Sequence, residues 1–176
     1  MSDMNEPPMP DDNRRTGWAE LGLGGTVQLA NPGLRLGARV LDVIIGGILG
    51  VIVFFVVAAA SFDNGTSGFS TGTTVVTLIL GLLVGIAYEV WPTALWGQTL
   101  GKRIVGIKVV HAMTGEAPGW GKAMGRWALP ALPSVIPFIQ LIGWIFSLLC
   151  YVSLTWDRVH QGWHDKAAGT LVIRLR

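Results

Sequence analysis

The chain has 176 residues, 51% of them apolar and 14% charged, with a mean hydropathy of +0.51. That balance excludes a disordered protein and is high for a water-soluble domain. The formal net charge is only +2, and the basic residues flank apolar runs, a pattern of membrane topology and anionic headgroups that argues against nucleic-acid binding. A single cysteine, Cys150, excludes an internal disulfide and an all-cysteine metal site; inside an apolar run it reads as a packing residue.

In chain order, residues 1–33 carry four prolines, many glycines and five acids, and sum to −3. Too little apolar surface is present to offset the entropy of ordering, so this stretch is expected to be a disordered acidic tail. No basic n-region precedes a short apolar stretch near Met1, so no cleaved signal peptide is expected. Residues 34–176 form the transmembrane unit. Its spans are predicted at about 35–60, 73–96 and 127–156, each long enough to cross a bilayer as helix. The segment 61–72 has no Lys or Arg, whereas 97–126 sums to +4, which puts the first connection outside, the second inside and the N-terminus inside.

The basic C-terminal stretch also belongs inside, which three simple spans forbid. The conflict resolves if 127–156, broken by Pro130, Pro133 and Pro137, enters as a short bent helix and returns as a full span from about Phe138. The runs Ile104 to His111 and Thr170 to Arg176 read as strands that pair into a small cytoplasmic lid. The expected fold is therefore an all-α membrane protein, a helical bundle of three to four transmembrane segments with a small cytoplasmic β element.

Arg35, Arg39, Asp42, Gly46 and Gly50 recur every three or four residues and share one helical stripe, as do Gly81, Gly85 and Glu89. Run antiparallel, the two spans place Gly50 opposite Gly81, Gly46 opposite Gly85 and Asp42 opposite Glu89. The midpoint of that register falls beside Asn64 and Gly65 in the expected turn. Glycine at this spacing lets helix backbones approach closely in a bilayer. Two unpaired carboxylates there would each cost about 2.5 to 3.5 kcal/mol. Arg39 can pair with Asp42, which leaves Glu89 to share an arginine, hold a proton or bind a cation. The structural alternative is a closed ion-pair cluster that fixes helix register and does nothing else.

The runs LRLGARVLDVII, GQTLGKRIVGIKVV and RVHQGWHDKAAGTLVI resemble the RDD family of small bacterial membrane proteins, over about Leu34 to Arg176. The resemblance assigns the family arginine to Arg35 and the first aspartate to Asp42. The second aspartate falls on Asp165, with Asp157 the other candidate. Gly97, Thr99, Gly101 and Lys102 match the family's glycine-threonine-glycine-lysine segment. Membership implies a multi-pass protein of the bacterial cytoplasmic (inner) membrane, and transport of some ligand is the usual suggestion.

GQTLGKR is one residue short of a phosphate-binding loop and has Arg103 where Ser or Thr would hold magnesium, so nucleotide binding is not expected. Instead Gly101 relieves crowding near a turn, and Lys102 and Arg103 anchor a span end at headgroup level. His160 and His164 lie four apart but lack companion ligands, and no metal site or cofactor is expected. Asp165 either caps the following turn or accepts a cation from the 97–126 loop, with Lys102 as its partner in a cytoplasmic latch. Trp91, Trp96, Trp127 and Trp156 flank apolar runs as an interfacial belt. No nucleophile sits beside a base and an orienting group, so no enzyme is expected.

The resulting expectation is a small transporter or ion-translocating protein, homo-oligomeric in the lipid bilayer. Asp42 and Glu89 would bind a cation or proton, with Arg35 and Arg39 tuning their charge. The alternative is a non-catalytic membrane scaffold or accessory subunit that recruits partners through its GxxxG faces and N-terminal tail.

Overall fold

A computed structural model describes residues 17–63, 70–157 and 160–175. The first elements are strands β1 (Trp18–Glu20) and β2 (Thr26–Gln28), an antiparallel pair. Gly24 and Gly25, at φ 97° and 95°, make the turn between them. This corrects the expectation of disorder from residue 17 onward; residues 1–16 lie outside the described residues. Few apolar side chains suffice here because the face they join already exists: Ala19 and Leu29 bury against Val110 and Leu171.

Helix α1 (Pro32–Asp63) opens on proline, whose fixed φ suits a first turn. Asn31 Oδ1 caps it, accepting from the Gly33 and Leu34 N–H groups at 2.6 and 3.3 Å. Helix α2 (Thr71–Gly85), a π-helical turn at Ile86–Val90 and helix α3 (Trp91–Trp96) follow as one rod. The π-turn lies just before Pro92, which has no N–H to donate to the preceding turn.

Among the described residues, two helical stretches, Pro32–Ser61 and Thr71–Trp96, are long and apolar enough to cross a membrane. Only 6% of the apolar window of each is buried, and Val43, Ile48, Phe55 and Leu83 point outward. A helix that is the core of a water-soluble domain would hide those side chains; these do not. The expected turn residues Asn64 and Gly65 lie outside the described residues.

Gly97, left-handed at φ 73°, ends α3. Helix α4 (Leu100–Val105) is capped by Thr99 and closed by Gly106 at φ 74°. Strand β3 (Ile107–His111) pairs antiparallel with β4 (Thr170–Arg174), Val109 facing Val172. The two runs expected to pair do so, but Ile104 and Val105 finish α4 instead of starting the strand.

Helix α5 (Gly119–Val135) begins well before Trp127 and keeps Pro130 and Pro133 within it. The break comes at Ile136, held extended at ψ 114° by the proline that follows. After a short 3-10 turn, helix α6 (Gln140–Val152) packs back on α5, with Gly143 against the Pro133 carbonyl group where no side chain fits. The apolar stretch Gln140–Thr155 rises only about 24 Å, short of the ~30 Å hydrocarbon core. This stretch alone does not reach the length of the full span expected from Phe138. Helix α7 (Trp163–Ala168) ends at Gly169, φ 61°, and leads into β4.

Leu29 bridges to Ile173, and the Ala30 N–H donates to the Val172 carbonyl at 2.9 Å. The β3–β4 sheet is thereby tied to the start of α1. Ala30, Ala38, Ile107, Val109 and Val172 form the small core beneath this junction.

Candidate functional site

The charged end of α1 is built first by its arginine. Arg35 is 8% exposed and sits over the sheet, its Nε donating to Ala30 O (3.1 Å) and Nη2 to Val172 O (3.0 Å). Its Nη1 donates to the His160 carbonyl and reaches Asp165 Oδ2 at 3.3 Å. Asp165, 1% exposed, lies in the first turn of α7, where Oδ2 also accepts from the Gly162 N–H. Its Oδ1 stands 3.0 Å from Arg126 Nη2 on α5. Burial alone would raise the Asp165 pKa, but Arg126 foremost, with His164, Arg35 and the Gly162 N–H, outweighs it and holds the carboxyl below its usual range. Burial pushes neighbouring His164 down to about 4, so the imidazole is neutral at neutral pH.

Asp165 therefore both caps its turn and takes a cation from the 97–126 loop, but that cation is Arg126. The expected Lys102 latch is replaced because α5 carries the Arg126 guanidinium to the carboxylate. Asp157, the other candidate for the second family aspartate, pairs with Lys166.

Asp42 is 2% exposed and takes no arginine. Its Oδ1 accepts from the Tyr88 hydroxyl (2.7 Å) and the Gly101 N–H (2.9 Å), and its Oδ2 from the Thr99 hydroxyl (2.6 Å). Such donors can hold a buried carboxylate without a countercharge. The GQTLGKR segment is thereby explained. Gly97 turns the chain, Thr99 caps α4 while donating to Asp42, and Gly101 brings backbone against α1. A Cβ at Gly101 would stand 2.6 Å from the Ala38 carbonyl oxygen and 2.7 Å from Asp42 Oδ1.

Arg39 passes over Asp42 and pairs with Glu89 at 2.7 Å, correcting the expected Arg39–Asp42 pairing. The pair is only partly buried, at 32% and 24% exposure. The Arg39 guanidinium also lies 4.7 Å from the Tyr151 ring centroid on α6. Adjacent Tyr88 and Glu89, both within the π-turn, each reach α1, Tyr88 at Asp42 and Glu89 at Arg39.

Arg35, Arg39, Asp42, Glu89, Lys102, Arg126, His164 and Asp165 all line one cavity of about 300 Å³, whose remaining wall includes Leu36, Trp127, Tyr151, Leu148 and Val152. Among the described residues, the Lys102 ammonium has no hydrogen-bond or ion-pair partner. Burial, then the nearby Arg126, draws its pKa down to about 8 against the pull of Glu89 and Asp42. Arg126 Nη1 and His164 Nδ1 are likewise buried without a hydrogen-bond partner.

The glycine rows are elsewhere. A Cβ at Gly46, Gly50 or Gly81 would meet nothing within 4 Å, and at Gly85 it would meet Trp127, 3.3 Å away. The expected glycine-to-glycine seam between the spans is thus corrected: polar side chains from Arg39, Asp42, Tyr88 and Glu89 join the charged ends, and Gly46, Gly50 and Gly81 face outward. His160 and His164 do not share a helix face either, since His160 sits before α7 at a left-handed φ of 53°. Sequence reasoning missed Arg126, Tyr88 and Tyr151 as site residues. Only Arg126 carried a signal, as a cation heading an apolar run.

Residues 29–169 match the RDD family model. A protein of Haemophilus influenzae bearing the name "Uncharacterized protein" is 27% identical over 96 residues, 54% of this chain and 57% of that protein's length. No solved structure matches the chain.

Proposed function

Since the chain belongs to the RDD family, we propose that it is a small, non-enzymatic transporter or ion-translocating protein of the bacterial cytoplasmic membrane. In this reading it is multi-pass and homo-oligomeric, with its N-terminus and the β3–β4 sheet inside. The observation that carries the reading is the cavity at the charged ends of two apolar helices, onto which cations and carboxylates converge. Intramembrane ionisable groups mark ion or substrate paths by default.

Within the cluster the roles divide by how firmly each group is held. Arg35, Asp165 and Asp42 are buried and each is held by several partners, which suits a frame. Glu89 has Arg39 as its ion-pair partner and is the least buried carboxylate of the site. The Arg39 guanidinium also lies over the Tyr151 ring, a contact that does not depend on Glu89. Glu89 is therefore the group that takes up a proton or cation, and Arg39 the side chain that yields to it. A pH jump across sealed proteoliposomes tests this. Cation-coupled proton flux in the wild type and its loss in Glu89→Gln are expected.

The second reading, a scaffold or accessory subunit, draws support from Gly46, Gly50 and Gly81, which stay open for a neighbouring helix. Absent flux in the wild type, or flux indifferent to Glu89→Gln, favours it.

A further inference from the structure

The cavity's charges are unevenly committed. Four cations line it, Arg35, Arg39, Lys102 and Arg126, against three carboxylates, Asp42, Glu89 and Asp165. Each carboxylate already has strong partners: Asp42 accepts three hydrogen bonds, Glu89 holds Arg39 and Asp165 holds two arginines. Asp165 Oδ1, though poorly aligned for a hydrogen bond, lies 3.0 Å from a guanidinium nitrogen. The unspent capacity is on the donor side: Arg126 Nη1 is buried without an acceptor, and the half-buried Lys102 ammonium lines the cavity with no hydrogen-bond or ion-pair partner among the described residues. A buried donor without an acceptor costs free energy that an incoming oxyanion recovers.

The rest of the wall is of a different kind. Leu36 on α1 and Leu148 and Val152 on α6 line the cavity yet are 67%, 63% and 40% exposed. They continue the apolar outer surface of the helices into the cavity. Apolar walls with a few placed polar groups suit a ligand that is itself divided.

Resting on the transporter reading, we propose that the cavity binds an amphiphilic anion, its phosphate or carboxylate head on Lys102 and Arg126 and its hydrocarbon chain along Leu36, Leu148 and Val152. The head is the chemistry shared by an anionic lipid and a free oxyanion, and the chain separates the two. A cationic amphiphile would meet the excess of positive charge, and a small free anion would leave the apolar wall unused.

The test is native mass spectrometry of the full chain released from a neutral detergent, offered dodecyl phosphate, dodecyltrimethylammonium or inorganic phosphate. Dodecyl phosphate should be retained at least tenfold more strongly than either of the others. Retention should fall at least tenfold in Lys102→Met. That variant removes no hydrogen bond or ion pair found among the described residues and should keep or raise the unliganded thermal midpoint, so loss of fold does not mimic loss of binding. Arg126→Gln, which also disturbs Asp165, serves as the second variant. Equal retention of the two amphiphiles, or retention unchanged in both variants, overturns the proposal. Inorganic phosphate retained as well as dodecyl phosphate also overturns it, in favour of a free oxyanion. Flux in proteoliposomes without retention of dodecyl phosphate sinks this inference alone; retention without flux supports it and sinks the transporter reading.

Discussion

Arg35 Nη1 and Asp165 Oδ2 are 3.3 Å apart although 130 positions separate them in the chain. They are the residues to which the family resemblance assigns its arginine and second aspartate. Together they bind the first turns of α1 to α7 and, through Val172, to β4. The third assigned position, Asp42, is nearby on the same cavity but belongs to a separate network closed by Thr99, Gly101 and Tyr88.

Asp165→Asn leaves Arg35 and Arg126 buried without their countercharge, and a loss of about 3 to 5 kcal/mol is expected. Arg35→Gln should cost comparably. The double variant should cost clearly less than the two losses added together. Thermal midpoints in detergent measure this, and additivity would show that the pair is not coupled.

The grip on Asp42 gives a different signature. Thr99→Val removes the donor to Oδ2 and should cost about 1 to 3 kcal/mol, because the acceptor stays buried. Tyr88→Phe should cost less, since the Gly101 N–H still serves the same oxygen. Chemical denaturation of the purified chain would rank the two, and the opposite order would displace Thr99 as the main support.

Glycines divide into those with no room and those with room to spare. Gly101→Ala drives a methyl group into the Ala38 carbonyl and should lose about 1 to 3 kcal/mol. Gly50→Ala meets open space in the monomer and should stay within about 0.5 kcal/mol. A large loss at Gly50 in the thermal midpoint would mean that a second helix covers it.

His164 makes stability depend on pH. Its pKa is about 4 when folded and about 6.5 when unfolded, so between those values the unfolded chain binds more protons. Its contribution is complete above the unfolded pKa and is lost as pH falls through that window, on the order of 3 kcal/mol in all. The thermal midpoint should drop between pH 7 and pH 4.5, and His164→Gln should flatten that drop. An equal drop in the variant would assign the effect to carboxylates.

Much of the architecture was legible because period and charge carried it. The two long apolar helices, the facing strands and the approach of Asp42 to residues 88 and 89 follow from hydropathy, β-branched composition and antiparallel register. The register missed by one residue, placing Glu89 where Tyr88 sits. A regular helical period does not contain the extra residue of the Ile86–Val90 turn. The Arg39–Asp42 pairing failed because sequence proximity cannot weigh a rival donor such as Thr99, 57 positions away. Arg126 stayed hidden because its role depends on where α5 passes α7. The hairpin at 18–28 eluded composition because its apolar residues act only with partners from β3 and β4.

The span between Arg35 and Asp165 also sets an order of events during biogenesis. When the first hydrophobic helix has been translated, the Arg35 guanidinium has no Asp165 to meet, and more than a hundred further residues must be made before that carboxylate arrives. Closure of that junction therefore comes late, after nearly the whole chain has been made, and a chain ending before residue 165 would leave the Arg35 guanidinium without this carboxylate.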